Sequence, residues 1–230
     1  MPESAPRRSY DSGRRQQAAR RNRAAMLAAC RELLFREGYQ ATTIRAVATR
    51  AGVSPETVYK AFGGKPGLVK ALWDVTLAGD DEPLAMADRP QLRAVWQTRD
   101  AHTKLRLYAA FVRGVHERLA ALFTLLAQAG SDVGQVLDLS EEERMLGVTA
   151  FVTHLTETGA LPADADTARL ADSCWVLTGP HLFIQLTDSR GWRTGTYENW
   201  LAGMLASALL GTTWGHGSTT RWGVPRAPQA

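Results

Sequence analysis

Cysteine is scarce. Only Cys30 and Cys174 occur in 230 residues, and they form no CxxC pair. That excludes a disulfide framework and a thiolate zinc site. Both lie on apolar helical faces, where a free thiol behaves as a small buried hydrophobe. No apolar run is long enough to span a bilayer, and the N-terminus lacks the apolar stretch of a signal peptide; a soluble, cytoplasmic protein is expected. Strand-like alternation, internal repeats and a low-complexity core are missing, so the chain reads as all-α. Also missing are a phosphate loop, a G-x-S-x-G elbow and any Cys/His/Asp grouping at catalytic spacing, so no enzyme is expected. No histidine falls at i, i+4 with a carboxylate in the manner of a zinc helix. Neither a metal nor a cofactor is expected.

Charge is present but unevenly placed. Residues 1–70 hold 14 Lys/Arg and 5 Asp/Glu, a formal +9, whereas residues 71–230 hold 13 and 18, a formal −5. A basic module joined to an acidic one points to nucleic-acid binding by the first. Four segments follow. Residues 1–17, rich in Arg and Pro, read as a disordered basic arm. Residues 18–78 read as a DNA-binding domain, 79–211 as a helical regulatory and dimerisation domain, and 212–230, dominated by Gly, Ser, Thr and Pro, as a disordered tail.

The stretch from Gly38 to Leu72 organises the rest. Ile44, Val47 and Ala48 make one helical face. Gly52 suits the left-handed end of that helix. Ser54-Pro55-Glu56-Thr57 then opens a second one, with Ser54 as N-cap, Pro55 at the first position and Glu56 at the positive end of the dipole. Val58 and Phe62 face inward. This is a helix-turn-helix, with Ser54 to Ala61 as the recognition helix. A preceding helix from about Ala18 to Glu37, apolar at Met26, Leu27, Cys30, Leu33 and Leu34, ends at Gly38 and holds the pair. A fourth runs from about Lys65 to Leu77.

These residues resemble the DNA-binding domain of the TetR, or tetracycline-repressor-type, family of transcriptional regulators. The resemblance rests on Gly38-Tyr39, Thr42-Thr43-Ile44, Val47-Ala48, Ala51-Gly52-Val53-Ser54, Thr57-Val58-Tyr59, Phe62, Lys65 and Leu68. One position departs: Gly64 stands where the family usually has a small hydroxyl residue before Lys65, and Pro66-Gly67 follow, so the fourth helix should start less firmly. The resemblance implies that Thr43, Tyr59 and Lys65 grip phosphates. Arg45 is placed for a guanine or a phosphate, and Pro55 and Thr57 for thymine methyls. Ser54 and Lys60 complete the exposed set; Glu56 reads as a solvated residue.

Beyond residues 79–90, acidic with two prolines, a long apolar helix starts at Ala101. Ser140 with Glu143 three residues on reads as a capping box opening the next helix. Asp164 or Asp166 caps another, Gly179-Pro180 interrupts it, and a last helix starts near Thr196 with Trp200, Met204, Leu205 and Leu209 on its apolar face. Those four are the expected homodimer contacts, by family resemblance. An effector is expected among the helices from Ala101, Glu141 and Asp166, with Phe111, Phe151, His154 and Trp175 as candidate lining. The whole reads as a repressor that is released from a palindromic double-stranded operator by a small, largely apolar molecule. The alternative is a DNA-binding regulator with no small-molecule effector.

Overall fold

The computed structural model describes residues 8–211, and every regular element among them is helical. Helix α1 (Arg8–Ala41) contains one interruption, at Gly38, whose φ of 81° ends the regular helix where the sequence suggested. Its start differs. Residues 8–17 are helical rather than part of a disordered arm, because nothing between Arg8 and Gln17 is a strong breaker except Gly13. Residues 1–7 of the expected arm and the expected tail 212–230 lie outside the described residues.

Helices α2 (Ile44–Ala51), α3 (Pro55–Phe62) and α4 (Lys65–Ala78) complete the N-terminal module. After a single 3-10 turn at Met86–Asp88 come α5 (Pro90–Gln97) and α6 (Ala101–Gln128), the latter unbroken. Helix α7 spans Gly134–Glu157, α8 Thr167–Leu177, α9 Pro180–Ile184 and α10 Thr194–Leu205; α9 and α10 each run on into a wider turn.

The expected capping box at Ser140 is not a helix start. Ser140 lies inside α7, its hydroxyl donating to the carbonyl of Val136 at 2.8 Å. Val133 and Val136 are buried against the N-terminal core, and that burial draws the helix back to Gly134. Asp166 does cap α8, accepting from the Arg169 N–H.

Two cores share α6. Leu119, Leu122, Phe123 and Leu126 join the core of α1–α4. Leu105, Tyr108 and Val112 join the core built by α5, α7, α8 and α10. One continuous helix therefore ties the basic module to the acidic bundle. No helix among the described residues is long and apolar enough to cross a membrane.

Candidate nucleic-acid interface and ligand cavity

The turn between α2 and α3 follows from its residues. Thr43 caps α2 by accepting from the Ala46 N–H at 3.1 Å. Gly52 adopts φ 69° and returns its N–H to α2 carbonyls. Ser54 accepts from the Thr57 N–H at 3.3 Å, and its hydroxyl meets that of Thr57 at 3.2 Å. That hydroxyl, with the helix's own N–H, also holds the exposed Glu56 carboxyl below its ordinary pKa. Val58 is fully buried, and Arg23 of α1 lies over the Phe62 ring at 5.1 Å. Arg50 of α2 pairs with Glu32 of α1 at 2.7 Å.

What remains outside is one face. Tyr59 is 55% exposed, which leaves its ring and hydroxyl open to an external partner. Thr43, Arg45, Ser54 and Lys60 are exposed, and Pro55 and Thr57 half-exposed. Lys65 is set differently. Its ammonium donates to the Tyr39 carbonyl and lies 3.8 Å from the Tyr39 ring centroid, so it braces the corner after Gly38. The glycines after α3 are required by geometry. Gly64 has φ 143°, and a Cβ on Gly67 would stand 2.0 Å from the Phe62 carbonyl oxygen. Helix α4 has no side-chain cap, and Lys65 bonds back to α1 instead.

A cavity of about 580 Å3 opens between α4, the 79–92 segment, α6 and α7. Trp73, Trp96, Tyr108 and Phe111 give it aromatic walls, with Val75, Leu77, Met86, Val112 and Val148 between them. Of the four expected lining residues, only Phe111 borders it. Phe151 is the layer behind, stacked on Tyr108 at 3.8 Å between centroids. His154 bonds the Trp96 carbonyl at 3.0 Å. The Trp175 ring is covered by Arg144 at 4.6 Å, and its carbonyl accepts from Arg144 at 2.7 Å. These three look lining-like from sequence because aromatic residues at helical spacing do not say which side of a wall they form. The space lies nearer α4 than α8, contrary to the expected placement.

Two polar residues of the wall find partners within the protein. His116 is buried and meets the Tyr197 hydroxyl at 3.2 Å. Burial, helped by the charge of Arg144, pushes its pKa down to about 3, so the ring is neutral at physiological pH. Arg89 is only 7% exposed and grips both Asp80 oxygens at 2.6 and 3.0 Å. Hydrogen bonding from Arg89 and from the Glu82 N–H holds the Asp80 carboxyl down to about 2. The segment 79–90 showed no periodicity, and its role in closing the cavity carried no sequence signal.

Two clasps hold α4 beside this space. Lys70 pairs with Glu143 of α7 at 2.9 Å. Arg118 of α6 donates to the Leu77 carbonyl at 2.7 Å and to that of Thr76 at 3.2 Å, satisfying open carbonyls at the end of α4.

Among the described residues, no group of three or more His, Cys, Asp or Glu could hold a metal ion. By sequence, residues 26–72 match the bacterial regulatory proteins of the tetR family. A stretch of 47 residues is 45% identical to the uncharacterised HTH-type transcriptional regulator YvkB of Bacillus subtilis, covering 20% of this chain and 25% of that protein. By structure, the chain is similar to the regulator FadR of Bacillus subtilis in complex with stearoyl-CoA, with a TM-score of 0.59 at 16% identity over 83% of this chain and 99% of that one. The fatty acid degradation regulator FadR of Bacillus halodurans gives a TM-score of 0.58 at 14% identity over 83% and 96%. At such identities the likeness is one of fold.

Proposed function

We propose that the chain is a transcriptional repressor of the tetR type, released from a palindromic operator by a small, largely apolar ligand; the match of residues 26–72 to the bacterial regulatory proteins of that family supports the reading. The observation that carries the DNA-binding half is the outward face of α2 and α3. An exposed Arg45, Tyr59 and Lys60 stand around a recognition helix whose inner face is fixed by Val58. Arg45 can pair bidentately with guanine, and Thr43 and Tyr59 are suited to phosphates. One recognition helix reads few base pairs, so two chains related by a two-fold axis would read half-sites about 34 Å or a multiple apart. Such a protein acts where the DNA is, in the cytoplasm.

The cavity supports ligand control over a regulator without an effector. It borders α4 through Trp73, Asp74, Val75, Leu77 and Ala78, so an occupant touches the helix that carries the helix-turn-helix. A ligand that prefers the open pose of α4 shifts the spacing of the two recognition helices; one without such preference shifts nothing. A coupling of about 1–3 kcal/mol is the usual scale. The FadR neighbour bound to stearoyl-CoA is a ligand complex in the same fold.

The test is selection by the full chain from random duplex DNA. A two-fold symmetric sequence should emerge. Failure to enrich any sequence would sink the DNA-binding reading.

A further inference from the structure

The cavity's walls are apolar, but its border carries an excess of one sign. Asp74, Asp80, Asp81, Glu82, Glu141 and Glu143 line it, against three guanidiniums. Each guanidinium is already engaged. Arg23 pairs with Asp81 at 3.1 Å, and Arg89 with both Asp80 oxygens. Arg144 holds Glu141 and the Trp175 carbonyl. Lys70 is shared between Asp74 at 2.6 Å and Glu143 at 2.9 Å. Glu82 is left without an ion-pair partner among the described residues. Two donors of the wall lack acceptors, Trp73 Nε1 and Arg89 Nε, yet both atoms are closed off even from the cavity space. An entering anion would therefore have to break an existing pair to find a cation, and would leave a carboxylate unpaired beside itself.

Among the described residues of the border, a cation has one carboxylate, Glu82, that it can meet without breaking an ion pair. Trp73, Trp96, Tyr108 and Phe111 border the space, and aromatic rings attract positive charge through their quadrupoles where a face is presented. A cleft whose border carries an excess of one sign of charge concentrates counter-ions of the other. We infer that the ligand of this cavity is an organic cation with an aromatic or aliphatic body, its body among the rings and its charge near Asp74, Glu82 and Glu143. The inference rests on the cavity being the effector site. The apolar space makes the site, and the carboxylates choose the sign. A cation placed there also competes with Lys70 for Glu143, which loosens the clasp between α4 and α7.

Tetraphenylphosphonium and tetraphenylborate are near-identical in shape and opposite in charge. Calorimetric titration of the full chain with each, in low-salt sodium buffer, should show the cation bound at least about tenfold more tightly. The preference should shrink with added salt and in Glu82→Gln. Gly147 borders the cavity on α7, and a Cβ there meets nothing within 4 Å. A side chain there starts without a Cβ clash, so Gly147→Phe, with helix content checked by circular dichroism, should crowd the cavity and abolish cation binding. Equal or tighter binding of the borate, no binding of the phosphonium, or phosphonium binding untouched by Gly147→Phe would each overturn the inference. If the cation binds in the cavity but leaves DNA affinity unchanged, the ligand class stands and ligand control falls. If the borate binds there and releases DNA, ligand control stands and the charge assignment falls.

Discussion

Lys70 Nζ of α4 lies 2.9 Å from Glu143 of α7, and this ion pair joins the DNA-binding module to the bundle at the edge of the cavity. Glu143 is largely exposed, so breaking the pair by Glu143→Gln should change urea stability by no more than about 1 kcal/mol. What should change is the balance between poses of α4, read as altered DNA affinity at unchanged helix content. Unaltered affinity would remove the pair from the coupling.

The DNA face itself can be dissected by salt titration. Tyr59→Ala should weaken binding to all duplexes, and Arg45→Ala should also relax base preference. Lys65→Ala should act differently, costing stability as well, since its ammonium holds the Tyr39 corner. Equal stability of Lys65→Ala and the parent would contradict that placement.

Acid sensitivity should report on His116. Its folded pKa, about 3, lies below the ordinary value of 6.5. A depressed value means that the unfolded chain takes up a proton that the folded chain refuses. Stability from this group is thus fully present above about pH 6.5 and is lost as pH falls toward 3, at up to about 1.4 kcal/mol per unit. Urea midpoints should fall over that window, and less steeply in His116→Gln. Equal slopes would contradict a buried neutral imidazole.

Gly67→Ala offers a test of the α3–α4 junction. The added methyl would stand 2.0 Å from the Phe62 carbonyl oxygen, so backbone must move. A loss of about 1–3 kcal/mol, with weakened DNA binding, is expected from circular dichroism and gel shift. A neutral substitution would mean that the junction gives easily.

How much could be read beforehand differs along the chain. Residues 38–72 were legible because each turn is set by local chemistry: Thr43 and Ser54 as caps, Gly52 left-handed, Val58 inward. The glycines at 64 and 67 suggested a weak start to α4, whereas the close approach to Phe62 demands Gly67. The bundle was legible as helices and poorly legible as a site. Periodicity gives the inward face of α6, but not which of Phe111 and Phe151 borders empty space. It also gave no sign that Lys104 is fully buried, its ammonium 3.2 Å from the Thr158 hydroxyl, where burial lowers its pKa.

The last helix shows the same limit. Leu205 and Leu209 were grouped with Trp200 and Met204 as dimer contacts, yet both leucines are buried in the protomer's own core. The outward apolar residues are Met204, 37% exposed, and Val176 of α8, 57% exposed, with Trp200 half-buried. If the α8 and α10 faces pair across a two-fold axis, Met204→Arg should give a folded monomer in sedimentation. Leu205→Arg should instead unfold the bundle, because an unpaired charge would be forced into the core. A dimeric Met204→Arg would move the interface elsewhere.

The most direct measurement is the ratio of affinities of the full chain for its selected duplex and for a scrambled duplex of the same composition, at one fixed salt concentration. A sequence-reading dimer should prefer its own site by about 10³-fold or more. Equal affinity for the two duplexes would show binding to phosphates alone and would contradict the regulator proposed here.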